Sequence, residues 1–325
     1  MAAMVCLASC GGSGSSAVKT VDERAPFSAD SAYSYIEKQV SFGARVPGSE
    51  AHSACRDWIV AQLASWGLTA EEQQGVMTDY AGDAQTVRNI VVHIAGTRES
   101  APAMLLCAHW DCRPWCDEED DYDERFVPVI GANDGASGVG VLLEVARELQ
   151  VLRESGRQFP AVDIVFFDCE DMGTPKHFTG VEREDTWCLG SQLWGQRYAA
   201  TPAARKTKYA YGILLDMVGD PSATFPREYF SLGYAQSAVE QVWRTAQSLG
   251  YGRYFVNQNA YPITDDHYYV NTIAGVPCID IIDYKMDTET GFPDWWHTQR
   301  DDMRNINKQT LTAVGETVMT ILCSK

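Results

Sequence analysis

The 325-residue sequence has no apolar run approaching the roughly 20 residues that cross a bilayer, so no part of its body reads as a membrane-spanning helix. It is short of positive charge. Its 26 Lys and Arg stand against 44 Asp and Glu, a formal net charge of -18 that repels phosphate backbones and argues against DNA or RNA as partners. There are 10 cysteines but no C-x-x-C pair, which leaves no framework for a structural zinc finger. No G-x-S-x-G elbow occurs, so a serine hydrolase of that type is unsupported. No internal repeat is visible. What is abundant is core material: 45% hydrophobic residues with 9 Trp, 15 Tyr and 11 Phe, enough for one packed globular domain.

The chain divides at about residue 24. In residues 1–24, Leu7-Ala8-Ser9-Cys10 resembles a bacterial lipobox, and Gly11 to Ser16 is a flexible Gly/Ser tract. No Lys or Arg precedes the apolar stretch, so the start is read as truncated or mis-called. The expectation is a periplasmic or outer-envelope lipoprotein of a bacterium, touching the membrane only through a lipid anchor at Cys10. Residues 25–325 are expected to form one catalytic domain. If Cys6 and Cys10 belong to the leader, eight cysteines remain, among which Cys112/Cys116 and Cys169/Cys188 are the pairs an oxidising compartment could join. Buried free thiols are the commoner alternative.

Apolar residues at helical spacing predict helices over about 30–40, 49–66, 139–149 and 311–321. Five apolar runs read as strands: Ile90 to Ala95, Ala103 to Ala108, Val162 to Phe167, Gly212 to Leu215 and Cys278 to Ile282. The alternation predicts an α/β fold, a single-domain three-layer sandwich whose mixed, mostly parallel sheet carries helices on both faces. The acidic run Asp117 to Glu124 lacks the glycine and ligand spacing of an EF-hand loop and reads as solvated.

The ionisable residues of interest sit just past strand ends. His109 and Asp111 follow one apolar run, Asp168, Glu170 and Asp171 another, and Asp216 a third. In open α/β sheets that edge is where ligands bind. Asp134 lies in a glycine-bearing turn before a helix, and His297 lies in Trp295-Trp296-His297-Thr298. Singly, Asp134 reads equally well as a helix cap and His297 as a satisfied core histidine. Together, several carboxylates converging on one edge would repel one another unless a cation neutralised them, and aspartate oxygens with histidine nitrogen suit zinc.

The ordered segments AHWD (108–111), GANDGASG (131–138), FFDCED (166–171), CLGSQ (188–192), LLDMVGD (214–220), Asp265-Asp266-His267 and PDWWHT (293–298) resemble the zinc-dependent aminopeptidase family, and within it the bacterial glutaminyl-peptide cyclotransferases. The resemblance implies one Zn2+ per chain bound by Asp134, Asp171 and His297, with Glu170 shuttling protons and Asp216 and Asp266 hydrogen-bonded around it. Many relatives carry Glu where this chain has Asp171. His109, Trp187 and Trp296 are expected to line the substrate pocket. The implied substrates are peptides or proteins with N-terminal Gln, handled by a monomer. The alternative is a two-zinc aminopeptidase with ligands His109, Asp134, Asp171, Asp216 and His297, and the ligand inventory does not decide between them. The long stretch between Asp171 and Gly190, with its Trp187, and the Trp296 before His297 favour the cyclase, since indole walls suit a narrow pocket for a flat side chain. A non-catalytic relative would lack Glu170 or a ligand, and none is missing.

Overall fold

The structure is a computed structural model that describes residues 25–324, so Cys6, Cys10 and the lipobox reading lie outside the described residues. Helices α1 (Ala29–Val40) and α2 (Glu50–Ser65) open it, each capped by a serine: Ser28 Oγ accepts from the Ser31 N–H and Ser49 Oγ from the His52 N–H. Strands β1 (Ala70–Thr78), β2 (Ala84–Ile94), β3 (Ala103–His109), β4 (Val162–Phe167), β5 (Tyr209–Asp216) and β8 (Cys278–Ile282) form a six-stranded sheet in the order β1-β2-β4-β3-β5-β8. The β1/β2 and β2/β4 pairs are antiparallel, and β4/β3, β3/β5 and β5/β8 are parallel. The predicted mixed, mostly parallel sheet is thus present. Strands β6 (Phe225–Arg227) and β7 (Phe255–Asn259) form a separate short pair.

Every residue of β3, β4 and β8 is buried, as expected of strands covered on both faces. Alternation then assigns side chains to layers. Leu106 and Ile164 join the core shared with α1, α2, α3 (Ala136–Glu154), α5 (Tyr229–Ser248) and α7 (Lys308–Cys323). Leu105, Val165 and Leu214 point the other way, toward Trp194 of α4 (Leu189–Ala200) and Val270, which follows the short α6 (Asp266–Tyr269). Three layers result.

The five predicted strands are all present, with β2 and β5 extended beyond their apolar runs; β1 was not foreseen because its AEEQQGVMT alternates between intermediate and exposed positions. Helix α4 contains two glycines and α5 bends at Ala235, which breaks the periodicity that would have announced them. The candidate disulfides do not form: all eight described cysteines are free. Cys169 packs with Val87, Met172, Leu189 and Leu193, while the Cys188 thiol faces the Glu170 carboxylate 3.2 Å away, so the two sulfurs serve different surroundings. Cys112 and Cys116 are likewise separate buried thiols, and burial pushes Cys116 up to about 12.

Gly138 lets the start of α3 press on the end of β5, since a Cβ there would stand 2.2 Å from the Leu215 carbonyl oxygen. This contact fixes Asp134 and Asp216 relative to one another. Gly138→Ala is expected to cost about 3 kcal/mol, the upper range for overpacking, measured as a lowered urea midpoint with unchanged m-value.

Candidate metal centre and active site

Three parallel strands deliver the site. β3 ends at His109, β4 leads into Asp168, Cys169, Glu170 and Asp171, and β5 ends at Asp216. Asp134 comes from the turn before α3, and His297 from the loop after residue 293. Of the five described non-glycine residues with positive φ, Cys169, Cys188, Met217 and His297 border this site. Such strained backbone concentrates where side-chain direction matters.

The structure brings Asp134, Asp171 and His297 together, with one ligand-capable atom of each within 4.8 Å of the others. His297 Nε2 lies 3.2 Å from Asp171 Oδ1 and 3.5 Å from Asp134 Oδ2. A second group, His109, Asp134 and Asp216, meets the same limit. There His109 Nε2 lies 3.0 Å from Asp134 Oδ1 and 3.2 Å from Asp216 Oδ1. The two oxygens of Asp134 therefore face two different histidines.

The charge state of the protein alone shows what this geometry needs. Burial, then the charge of Asp171, pushes the Glu170 carboxyl well above its ordinary range; burial, then Asp134, raises Asp171. Burial raises Asp216 to about 7 against the pull of His109. Burial would lower His297, yet Asp171, Asp117 and Asp134 hold it well above its usual value. Burial works against the ionisation of Asp134 as well, but His109 and His297 hold it well below the usual carboxylate range, and Asp171 Oδ2 is buried without a hydrogen-bond partner. A divalent cation fits these residues, and an imidazole nitrogen with two carboxylates is a donor set suited to zinc.

A layer of polar partners holds these groups in place. Asp111, buried, accepts the Glu170 and Asp171 N–H groups at 3.1 and 3.3 Å. Asp168 accepts the Arg88 N–H at 2.7 Å and pairs at 2.7 Å with His52, whose ring stacks on Trp110. Asp301 accepts the Asn133 and Asp134 N–H groups at 2.8 and 3.0 Å. Asp117, expected to be solvated, is instead 3% exposed. Arg113 grips it at 2.7 Å, and His297 Nδ1 lies 3.5 Å from it. Burial works against its ionisation, but the bonds from His297 and Arg113 hold Asp117 well below the usual carboxylate range. It thus orients the imidazole, while the residues beyond it in the acidic run remain partly or fully exposed.

A cavity of about 300 Å³ opens on the group. Glu170, Asp171, Trp187, Asp216, Trp296 and His297 line it, together with Asp134 and Asp265. Trp187 lies under the Arg113 guanidinium, 4.5 Å from its ring centroid, and Trp296 stacks on His297 at 3.7 Å. Both tryptophans thus stand on the cavity wall. His109 is not in the wall: it lies beneath it, 1% exposed, because it is enclosed by Asp111, Asp134 and Asp216. Asp216 bonds to His109, and the hydrogen-bond partner of the Glu170 carboxylate is Cys188. Of the Asp265-Asp266 pair, Asp265 reaches the cavity and caps α6 in an extended conformation, while Asp266, the first residue of that helix, is fully buried and lines no part of the cavity. Arg113, Asp117, Cys188 and Asp301 were not singled out as site residues from the sequence. No apolar period marks them, since each acts through a contact made only in the folded chain.

A zinc-dependent enzyme is what this fold and this site define. The chain belongs to peptidase family M28, whose family model matches residues 89–322. A glutaminyl cyclase from Tannerella forsythia is 46% identical, over 92% of this chain and 99% of its own, with a TM-score of 0.84. A structure described as a Zn-dependent exopeptidase, from Parabacteroides distasonis, is 43% identical over the same shares with the same TM-score. A glutaminyl-peptide cyclotransferase from the snake Boiga irregularis is 27% identical over 299 residues, covering 84% of this chain and 75% of its own length.

Asp301→Ala strands two buried backbone donors beside Asp134. It is expected to lower stability by about 1–3 kcal/mol and zinc affinity by about 10- to 100-fold, read by thermal melting and by competition with a chelator.

Proposed function

We propose that this enzyme converts the N-terminal glutamine of peptides to pyroglutamate with release of ammonia, holding one zinc on Asp134, Asp171 and His297. The observation that carries the reading is the cavity: a small, aromatic-walled recess with Glu170 and the Asp134–Asp171–His297 group on its lining. Its volume of about 300 Å³ suits one side chain rather than a run of residues. The name of the Tannerella forsythia relative supports the same activity.

The reaction needs no protein nucleophile. The substrate's α-amine attacks its own side-chain amide carbon, the new C–N bond closes the ring, and the old C–N bond breaks to release ammonia. Zinc, when bound, supplies Lewis-acid polarisation of that amide. Trp187 and Trp296 offer flat walls that hold the folded-back side chain in a near-attack conformer. Met217, Ile263 and Ile282, packed with Phe292 and Trp296, keep the far wall apolar. Glu170 takes the proton from the attacking amine and returns one to the departing nitrogen. The Cys188 thiol, donating to Glu170 Oε1 at 3.2 Å, and Asp111, accepting the Glu170 N–H, fix the carboxylate for that exchange.

The second reading is the two-zinc aminopeptidase, favoured by the His109–Asp134–Asp216 group and by the exopeptidase description of the Parabacteroides distasonis relative. Metal stoichiometry separates the two. The cyclase reading expects about one tight zinc per chain, unaffected by His109→Ala. Two tight zincs, one lost in that variant, together with hydrolysis of the first peptide bond, establish the aminopeptidase instead.

Glu170→Gln preserves shape but accepts no proton, so kcat for pyroglutamate formation is expected to fall by about 10²–10⁴ with zinc content unchanged. Asp171→Ala is expected to lose zinc and activity together. Near-normal turnover by zinc-loaded Glu170→Gln removes that residue from the mechanism.

A further inference from the structure

Beside the zinc group lies a differently composed cluster. Cys188 Sγ is 3.2 Å from Glu170 Oε1, and these atoms lie within 4.8 Å of an Asp265 carboxylate oxygen. Cys188 is held there from both ends. Its N–H donates to the Glu170 carbonyl at 2.8 Å, and its backbone sits at φ 55, a conformation that costs a non-glycine residue about 1 kcal/mol or more. Asp265 uses Oδ1 to cap α6, whereas Oδ2 is buried without a partner, and the residue is 3% exposed. Glu170 and Asp265 both line the cavity, so an ion entering it reaches the cluster. The zinc group offers only oxygen and nitrogen donors, but this one adds sulfur, and thiolate selects soft cations.

We propose that Glu170, Cys188 and Asp265 form a second cation site, opening on the catalytic cavity, that takes a thiophilic divalent ion such as Cd2+ or surplus Zn2+ and stops turnover by occupying Glu170. Binding breaks the S–H bond, forms the metal–sulfur bond and releases the proton to solvent. No oxidant or reductant takes part. Only the loss of turnover rests on the cyclase reading; the binding does not.

The test titrates the zinc-loaded enzyme with Cd2+ while following the ultraviolet thiolate-to-cadmium charge-transfer band, metal per chain and pyroglutamate formation. One further equivalent, the band, and a fall in turnover of about 100-fold or more are expected. Cys188→Ser is expected to lose the band and to bind Cd2+ at least about tenfold more weakly. Asp265→Asn keeps the capping oxygen and the sulfur, so the band persists at about tenfold higher Cd2+. A band absent from the parent or unchanged in Cys188→Ser overturns the site. So does a further ion that gives no band and is lost in His109→Ala, since it then occupies the His109–Asp134–Asp216 group. If Cys188→Ser does not fold, an unchanged Cd2+ affinity in Asp265→Asn overturns it equally. A Cys188-dependent band in an enzyme that forms no pyroglutamate upholds the site and removes the cyclase reading.

Discussion

Buried like charges in close quarters are the constraint on which the rest of this molecule depends. Asp134 lies close to Asp171 beside one histidine and to Asp216 beside another, with Glu170 near them, and the three aspartates are largely buried where they line the cavity. At such distances each pair of like charges repels by about 4 kcal/mol, a large share of the roughly 5–15 kcal/mol by which proteins are stable. The protein answers with protons on its own, and with a cation when one is bound. The folded state and a bound cation are thus linked at this edge of the sheet.

Around that edge a further set of carboxylates acts through backbone rather than metal. Asp111 collects the Glu170 and Asp171 amides, and Asp301 those of Asn133 and Asp134. Asp168 is fastened to His52 and Arg88. Arg113 spans more ground, donating to the Asp171 and Gly173 carbonyls while pairing with Asp117 and covering Trp187. Through it, the Asp171 backbone, the carboxylate beside His297 and the cavity wall share one guanidinium. Such arrangements supply the positional accuracy that proton transfer and metal binding require.

The fold was legible wherever apolar residues ran together or recurred at helical spacing. Ile164 and Phe166 announced β4, and Leu142 and Leu143 announced α3. It was hidden where burial is partial, as in β1, or where glycine and a bend interrupt the period, as in α4 and α5. Glu170 and Asp171 were marked by their place beyond a strand end, whereas Asp134 and His297 were marked by the ordered motifs. Which of two adjacent aspartates faces the cavity was not, because a cap rotates Asp265 outward by backbone geometry that leaves no mark in composition. Asp117 shows the same limit: within a run of acids, one was drawn inward by an arginine four residues earlier.

Asp134 turns one oxygen to each of two histidines. This single carboxylate is therefore the shared wall of two adjoining rooms, and whatever furnishes or empties one is felt through it in the other. Relatives described as an exopeptidase and as a glutaminyl cyclase match this scaffold equally well, so the two descriptions share one architecture and part company only within it.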